Sequence, residues 1–142
     1  MNDEPIRVLL VDDEVDFVSS LRKRFLRRGF TAVSALSGEE AIEIAQERPF
    51  DVAVLDLKMP GMDGLEVLDE LKRLQPMLQV IVLTGHGSVE AAHQSGRRDA
   101  THFLQKPADF DPLVERVRQA CVQKRRAQRD GYEREVQVVI SS

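Results

Sequence analysis

Apolar and polar positions fall into two alternating periods along the chain. Val8-Leu9-Leu10-Val11, Val52-Ala53-Val54-Leu55 and Val80-Ile81-Val82-Leu83 are unbroken apolar runs. A strand with one face in water alternates apolar and polar side chains, whereas an unbroken run marks a strand covered on both faces. Strands are therefore expected over Ile6–Val11, Val52–Leu55 and Gln79–Thr84, with shorter ones over Thr31–Ala35 and Thr101–Leu104.

Between these runs the period becomes helical. Val15, Phe17, Val18, Leu21, Phe25 and Leu26 recur at helical spacing, with Arg22, Lys23, Arg24, Arg27 and Arg28 mostly opposite, and Gly29 ends the segment. Ser37-Gly38-Glu39-Glu40 is a capping box that opens a second helix, with Ala41, Ile42, Ile44 and Ala45 inward. Asp63 begins a third, carried by Leu65, Val67, Leu68, Leu71 and Leu74 and stopped by Pro76. A fourth is expected over Ser88–Arg98, but it is a poor one. Val89 is its only sizeable apolar residue, and Gly96 costs about 1 kcal/mol relative to Ala. Asp111 is expected to cap the last helix and Pro112 to start it, with Leu113, Val114, Val117, Ala120 and Cys121 inward. Alternating strands and helices imply right-handed crossovers, and so an α/β protein with a parallel sheet covered on both faces.

Composition narrows the class. A chain of 142 residues suits one domain, and 42% hydrophobic with 31% charged residues describes a globular protein. The net charge of −4 points to neither nucleic acid nor anionic membrane. The single cysteine, Cys121, excludes an internal disulfide framework and suits a reducing, cytoplasmic setting. No signal pattern opens the chain, and no apolar run is long enough to span a bilayer.

Candidate chemistry lies at the carboxyl ends of the strands, where open α/β sheets bind ligands. Asp12 and Asp13 follow the first strand, Asp56 the third, Thr84 ends the fourth and Lys106 follows the fifth. Alone, each has an ordinary explanation: a helix cap, a turn, a strand-end hydroxyl, a solvated amine. Together, in a parallel sheet, they share one edge. Two carboxylates about 4 Å apart repel by about 4 kcal/mol at an effective dielectric of 20. A hard divalent ion relieves this, and Mg²⁺ fits a small all-oxygen site. Acids, a metal, a lysine and a hydroxyl make a phosphoryl site.

The chain resembles the receiver domain of two-component response regulators. The matching stretches are Val8–Glu14, Leu55–Gly64, Val82–Gly85 and Phe103–Pro107. The likeness runs from about residue 6 to about residue 124, which sets the expected boundary between a receiver domain over 1–126 and an extension of unassigned role over 127–142. It implies a flavodoxin-like, doubly wound sheet of order 2-1-3-4-5 flanked by five helices. It implies that Asp56 takes a phosphoryl group from a histidine kinase or phosphotransfer protein, and that Asp12, Asp13, Asp56 and the main-chain carbonyl of Lys58 hold Mg²⁺. Lys106 and Thr84 would contact phosphoryl oxygens. Phe103 would be the aromatic switch that follows Thr84, and the Lys106–Pro107 bond would be cis. The molecule would be a phosphoacceptor rather than an enzyme, and a stand-alone regulator. It would signal to a downstream protein through the face of the fourth helix, fifth strand and last helix. No membrane contact and no direct DNA binding are expected, and a homodimer is compatible with it.

Some features depart from this pattern. Asp99-Ala100 stands where the family usually has Gly-Ala, and the weak fourth helix is expected to be short, shifted or mobile. Lys58 and His86, two residues past Asp56 and Thr84, occupy positions that tune dephosphorylation in the family. Lys124, Arg125, Arg126 and Arg129 read as a solvated helix end, and His93 and His102 as satisfied or solvated. The residues oppose two other classes. A degenerate receiver, binding partners without phosphorylation, is opposed by the retained acids, Thr84 and Lys106. An aspartate-nucleophile phosphatase would want an acid where Lys58 stands, and a nucleotide-binding enzyme would want a Gly-rich loop after the first strand.

Overall fold

The apolar runs form the sheet. A computed structural model describes residues 4–85 and 101–141, with side chains at all of these except 84, 101 and 132–141. Strands β1 (Arg7–Val11), β2 (Thr31–Ala35), β3 (Val52–Leu55), β4 (Gln79–Thr84) and β5 (Thr101–Gln105) alternate with helices α1 (Val15–Arg27), α2 (Gly38–Glu47), α3 (Gly64–Leu74) and α4 (Phe110–Ser141). All strands are parallel, in the order β2-β1-β3-β4-β5. This is the flavodoxin-like order expected. The helix expected over Ser88–Arg98, with His86 and His93, lies outside the described residues.

Each unbroken run feeds two cores. Val8, Leu10, Val54, Ile81 and Leu83 pack under Val18, Leu21 and Phe25 of α1 and Leu113, Val114 and Val117 of α4. Leu9, Val11, Ala53, Leu55, Val80 and Val82 face the other way, onto Ala41 and Ala45 of α2 and Val67, Leu68 and Leu71 of α3. Successive strand side chains point to opposite faces, so a strand between two helical layers has no place for a polar residue. Register then aligns the exits. Val11 pairs with Ala35 and Leu55, so β1 and β3 release Asp12 and Asp56 side by side, while β4, whose Val82 pairs with Leu55, runs two residues further to Thr84.

One local expectation holds and several change. The capping box at Ser37 forms, with Ser37 Oγ accepting from the Glu40 amide at 3.1 Å. Neither Asp12 nor Asp13 caps α1, whose N-cap is Glu14. The last helix begins at Phe110 rather than Pro112, because the buried Phe110 ring is drawn against Phe25, centroids 5.2 Å apart. That helix runs unbroken through the boundary set at 126/127 to Ser141. Lys124 is not solvated. It is 5% exposed, and its ammonium donates to Asp51 Oδ1 at 2.8 Å. Asp51 is itself buried at the amino-terminal end of the sheet, and also accepts from the Arg7 amide at 2.9 Å and the Arg7 Nη2 at 3.2 Å. Burial alone would raise its carboxyl, but hydrogen bonds from Arg7 and Lys124 outweigh that and hold it at about 2.

Candidate functional site

Asp12 is the first residue past β1, and Asp56 the first past β3. Both are buried, at 4% and 6% exposure. Asp13 completes the cluster: one carboxylate oxygen from each of Asp12, Asp13 and Asp56 lies within 4.8 Å of the others. Backbone amides hold the two buried acids. Asp12 Oδ1 accepts from the Glu14 amide at 2.9 Å, and Asp56 Oδ1 from the Lys58 amide at 3.0 Å. That second bond keeps the Lys58 main chain against the cluster.

Lys106 enters from the end of β5 after 94 residues of chain separation from Asp12. Its ammonium donates to Asp12 Oδ2 at 2.8 Å and Asp56 Oδ2 at 3.4 Å, and stands 3.8 Å from Glu14 Oε1. Burial would lower the lysine's affinity for its proton, but the hydrogen bond to Asp12 and the charges of Asp12, Asp56 and Glu14 raise it. It is therefore held as a cation. The Lys106–Pro107 bond is cis.

The loop after β3 is shaped by two glycines. Gly61 takes φ +89°, a left-handed conformation that side chains disfavour. A Cβ on Gly64 would lie 2.5 Å from Leu57 Cα and 2.6 Å from the Leu57 carbonyl oxygen. The start of α3 thus presses on the backbone beside Asp56, and Asp63 caps it by accepting from the Leu65 amide at 3.1 Å.

The expected site residues thus converge as far as they are described. Thr84 ends β4 opposite Gln105, on the same edge, and its side chain is not described. Phe103 is half-buried and packs on the core under α2 and α3. His102 is on β5, half-buried, with Nε2 3.3 Å from Gln79 Oε1. Sequence reasoning missed Glu14 and Phe17 as members of the site. The Phe17 ring centroid lies 4.7 Å from the Lys106 ammonium. Phe17 shares the spacing of the α1 core stripe, yet it is 36% exposed at the rim. A polar residue in the first turn past the paired acids was the available signal for Glu14. A groove of about 390 Å³ lies at the opposite end of the sheet, between Ala45, Phe50, Leu78 and Lys124, away from these acids.

The donor set of the cluster is all carboxylate oxygen, with neither thiolate nor imidazole among the described groups, and two of its acids, Asp12 and Asp56, face the Lys106 ammonium. Hard divalent cations suit such a set, Mg²⁺ among them.

Comparison with known proteins gives the same direction. The family model for the response regulator receiver domain matches residues 8–118. The transcriptional regulatory protein GlrR of Escherichia coli K12 is 34% identical over 123 residues, covering 87% of this chain and 28% of GlrR. The chain thus spans less than a third of the length of such curated relatives. The CheY-like receiver domain protein of Methanospirillum hungatei superimposes with TM-score 0.81 at 25% identity, over 87% of this chain and 99% of that one. The response regulator TrrA of Thermotoga maritima, solved in complex with Mg²⁺–BeF, gives TM-score 0.71 at 30% identity, over 81% and 98%. No helix among the described residues is long and apolar enough to cross a membrane.

Proposed function

The chain belongs to the response regulator receiver domains of two-component systems, and from that premise we propose that Asp56 is its phosphoacceptor. The observation that carries this reading is the Lys106 ammonium bridging Asp12 and Asp56 inside a cluster of three carboxylates. An Asp56 oxygen attacks the phosphorus of a phosphohistidine on a histidine kinase or phosphotransfer protein. The O–P bond forms as the P–N bond breaks, and the electron pair returns to the imidazole nitrogen. Lys106 pairs with a phosphoryl oxygen as that charge arrives, and the Thr84 hydroxyl donates to another. Asp12, Asp13, Asp56 and the Lys58 carbonyl would hold Mg²⁺, which offsets carboxylate repulsion and the charge on the transferring group. TrrA, solved with Mg²⁺–BeF, supports that ion.

Phosphorylation adds nearly two negative charges at the strand edge. In this reading Thr84 and Phe103 relay them to the surface of β5 and α4, where a downstream protein binds. The molecule is a phosphoacceptor that promotes its own phosphorylation and dephosphorylation, not an enzyme with a separate substrate. It works in the cytoplasm through protein contacts rather than direct contact with DNA.

Incubation with acetyl phosphate and Mg²⁺, followed by intact mass measurement, tests this. The expected result is a gain of one phosphoryl group that needs Mg²⁺ and is absent in Asp56→Asn. A protein that gains no phosphoryl group under these conditions, while still binding partners, is a degenerate receiver.

A further inference from the structure

Among the described residues Lys106 meets four charged or aromatic groups, and they differ in kind. Asp12, Asp56 and Glu14 are carboxylates, at 2.8, 3.4 and 3.8 Å. The fourth is the ring of Phe17, with the ammonium 4.7 Å from its centroid. Phe17 stands in the first turn of α1 and lines the small cavity beneath the cluster together with Asp12 and Asp56. It is not part of the buried core cluster that Val18, Leu21 and Phe25 of the same helix build. The rest of that cavity's lining is apolar, including Leu10, Val18, Leu21 and Leu83, so Phe17 borders the core and meets the Lys106 ammonium as well.

We propose that Phe17 is a positioning residue for Lys106, giving the ammonium a resting place at the rim when a divalent cation takes the carboxylates. This rests on the reading of the acid cluster as a divalent-cation site. Two of the three carboxylates that now hold Lys106 are the proposed ligands of that ion. When those oxygens turn to the ion, Lys106 loses its shortest contacts and is repelled by the added positive charge. Glu14 is a weak substitute, because its side chain is 67% exposed and screened by water. The ring attracts a cation through the negative face of its quadrupole, and no metal ion competes for it there. Phe17 thus keeps Lys106 near Asp56 instead of releasing it to solvent.

An NMR-monitored Mg²⁺ titration, made without any phosphodonor, tests the proposal. Phe17→Leu keeps an apolar side chain of similar size but removes the quadrupole. It is expected to weaken Mg²⁺ binding roughly three- to tenfold. Phe17→Tyr, which keeps the ring face, is expected to bind as the wild type does. Lys106→Ala removes the competing cation and is expected to tighten binding. Adding Phe17→Leu to Lys106→Ala is then expected to change nothing further, because the effect runs through the lysine. The Lys106 methylene protons beside the ammonium are expected to show upfield ring-current shifts that persist at saturating Mg²⁺ and vanish in Phe17→Leu. If the wild type takes up Mg²⁺ and Phe17→Leu titrates identically, the positioning role is overturned while the metal site stands. If the wild type takes up no Mg²⁺, the reading of the cluster fails, and the proposal with it.

Discussion

The Lys124 ammonium lies 2.8 Å from Asp51 Oδ1, joining α4 to the amino-terminal end of β3 across 73 residues of chain. Removing Lys124 strips a buried carboxylate of its most buried cationic partner, leaving Arg7 and, with Nη2 3.5 Å from Asp51 Oδ2, Arg125. Lys124→Ala is therefore expected to cost about 1–3 kcal/mol, below the full penalty of an unpaired buried charge, read as a lower urea midpoint at constant slope. Arg125, also expected in solvent, is instead held beside Asp51, and a loss below about 1 kcal/mol would show that Arg7 and Arg125 alone satisfy that carboxylate.

The same carboxylate makes stability depend on acid. Asp51 is held at about 2 in the folded protein against 3.8 for an unperturbed aspartate. Its folded value is depressed, so the stability it contributes is complete above pH 3.8 and is lost as pH falls toward about 2. That contribution is worth about 2 kcal/mol. Asp51→Asn is expected to flatten this part of the acid unfolding profile, whatever its effect at neutral pH.

His102 acts in a different window. Burial, and then the Arg116 guanidinium, hold its imidazole below the usual range, and a hydrogen bond with Gln123 only partly opposes them. A depressed histidine is protonated more readily when unfolded, so it costs stability as pH falls below about 6.5. His102→Gln is expected to remove this loss between pH 7 and about 5, as measured by thermal unfolding at both values.

Gly64 fixes the loop that carries Asp56. In Gly64→Ala the new Cβ would meet Leu57 backbone at 2.5 Å, and backbone cannot step aside as a flexible side chain can. The expected cost is about 1–3 kcal/mol, by urea denaturation. Gly85→Ala is the control, since nothing among the described residues lies within 4 Å of its Cβ position. Its midpoint is expected to stay within about 0.5 kcal/mol of wild type.

How far the sequence showed all this depends on the residue. The strands were legible because a doubly covered strand admits no polar side chain, as in Val52–Leu55. Asp12, Asp56 and Lys106 were legible because parallel strands deliver their carboxyl ends to one edge, so order along the chain translates into proximity. Lys124 was not legible. It begins a Lys-Arg-Arg run, and only the fold brings Asp51 beneath it. Phe17 shares the spacing of the α1 core stripe, and spacing alone does not separate a residue at the centre of the stripe from one at its rim. The start of α4 moved from Pro112 to Phe110 because tertiary packing on Phe25 outweighed local capping signals.

The central claim is that Asp56 becomes an acyl phosphate, and hydride trapping with peptide mapping tests it most directly. Hydride reduces an acyl phosphate to an alcohol and leaves free carboxylates untouched. After acetyl phosphate and Mg²⁺, residue 56 is expected to be recovered as homoserine, with Asp12 and Asp13 unchanged. Homoserine at another position, or at none, would contradict the account.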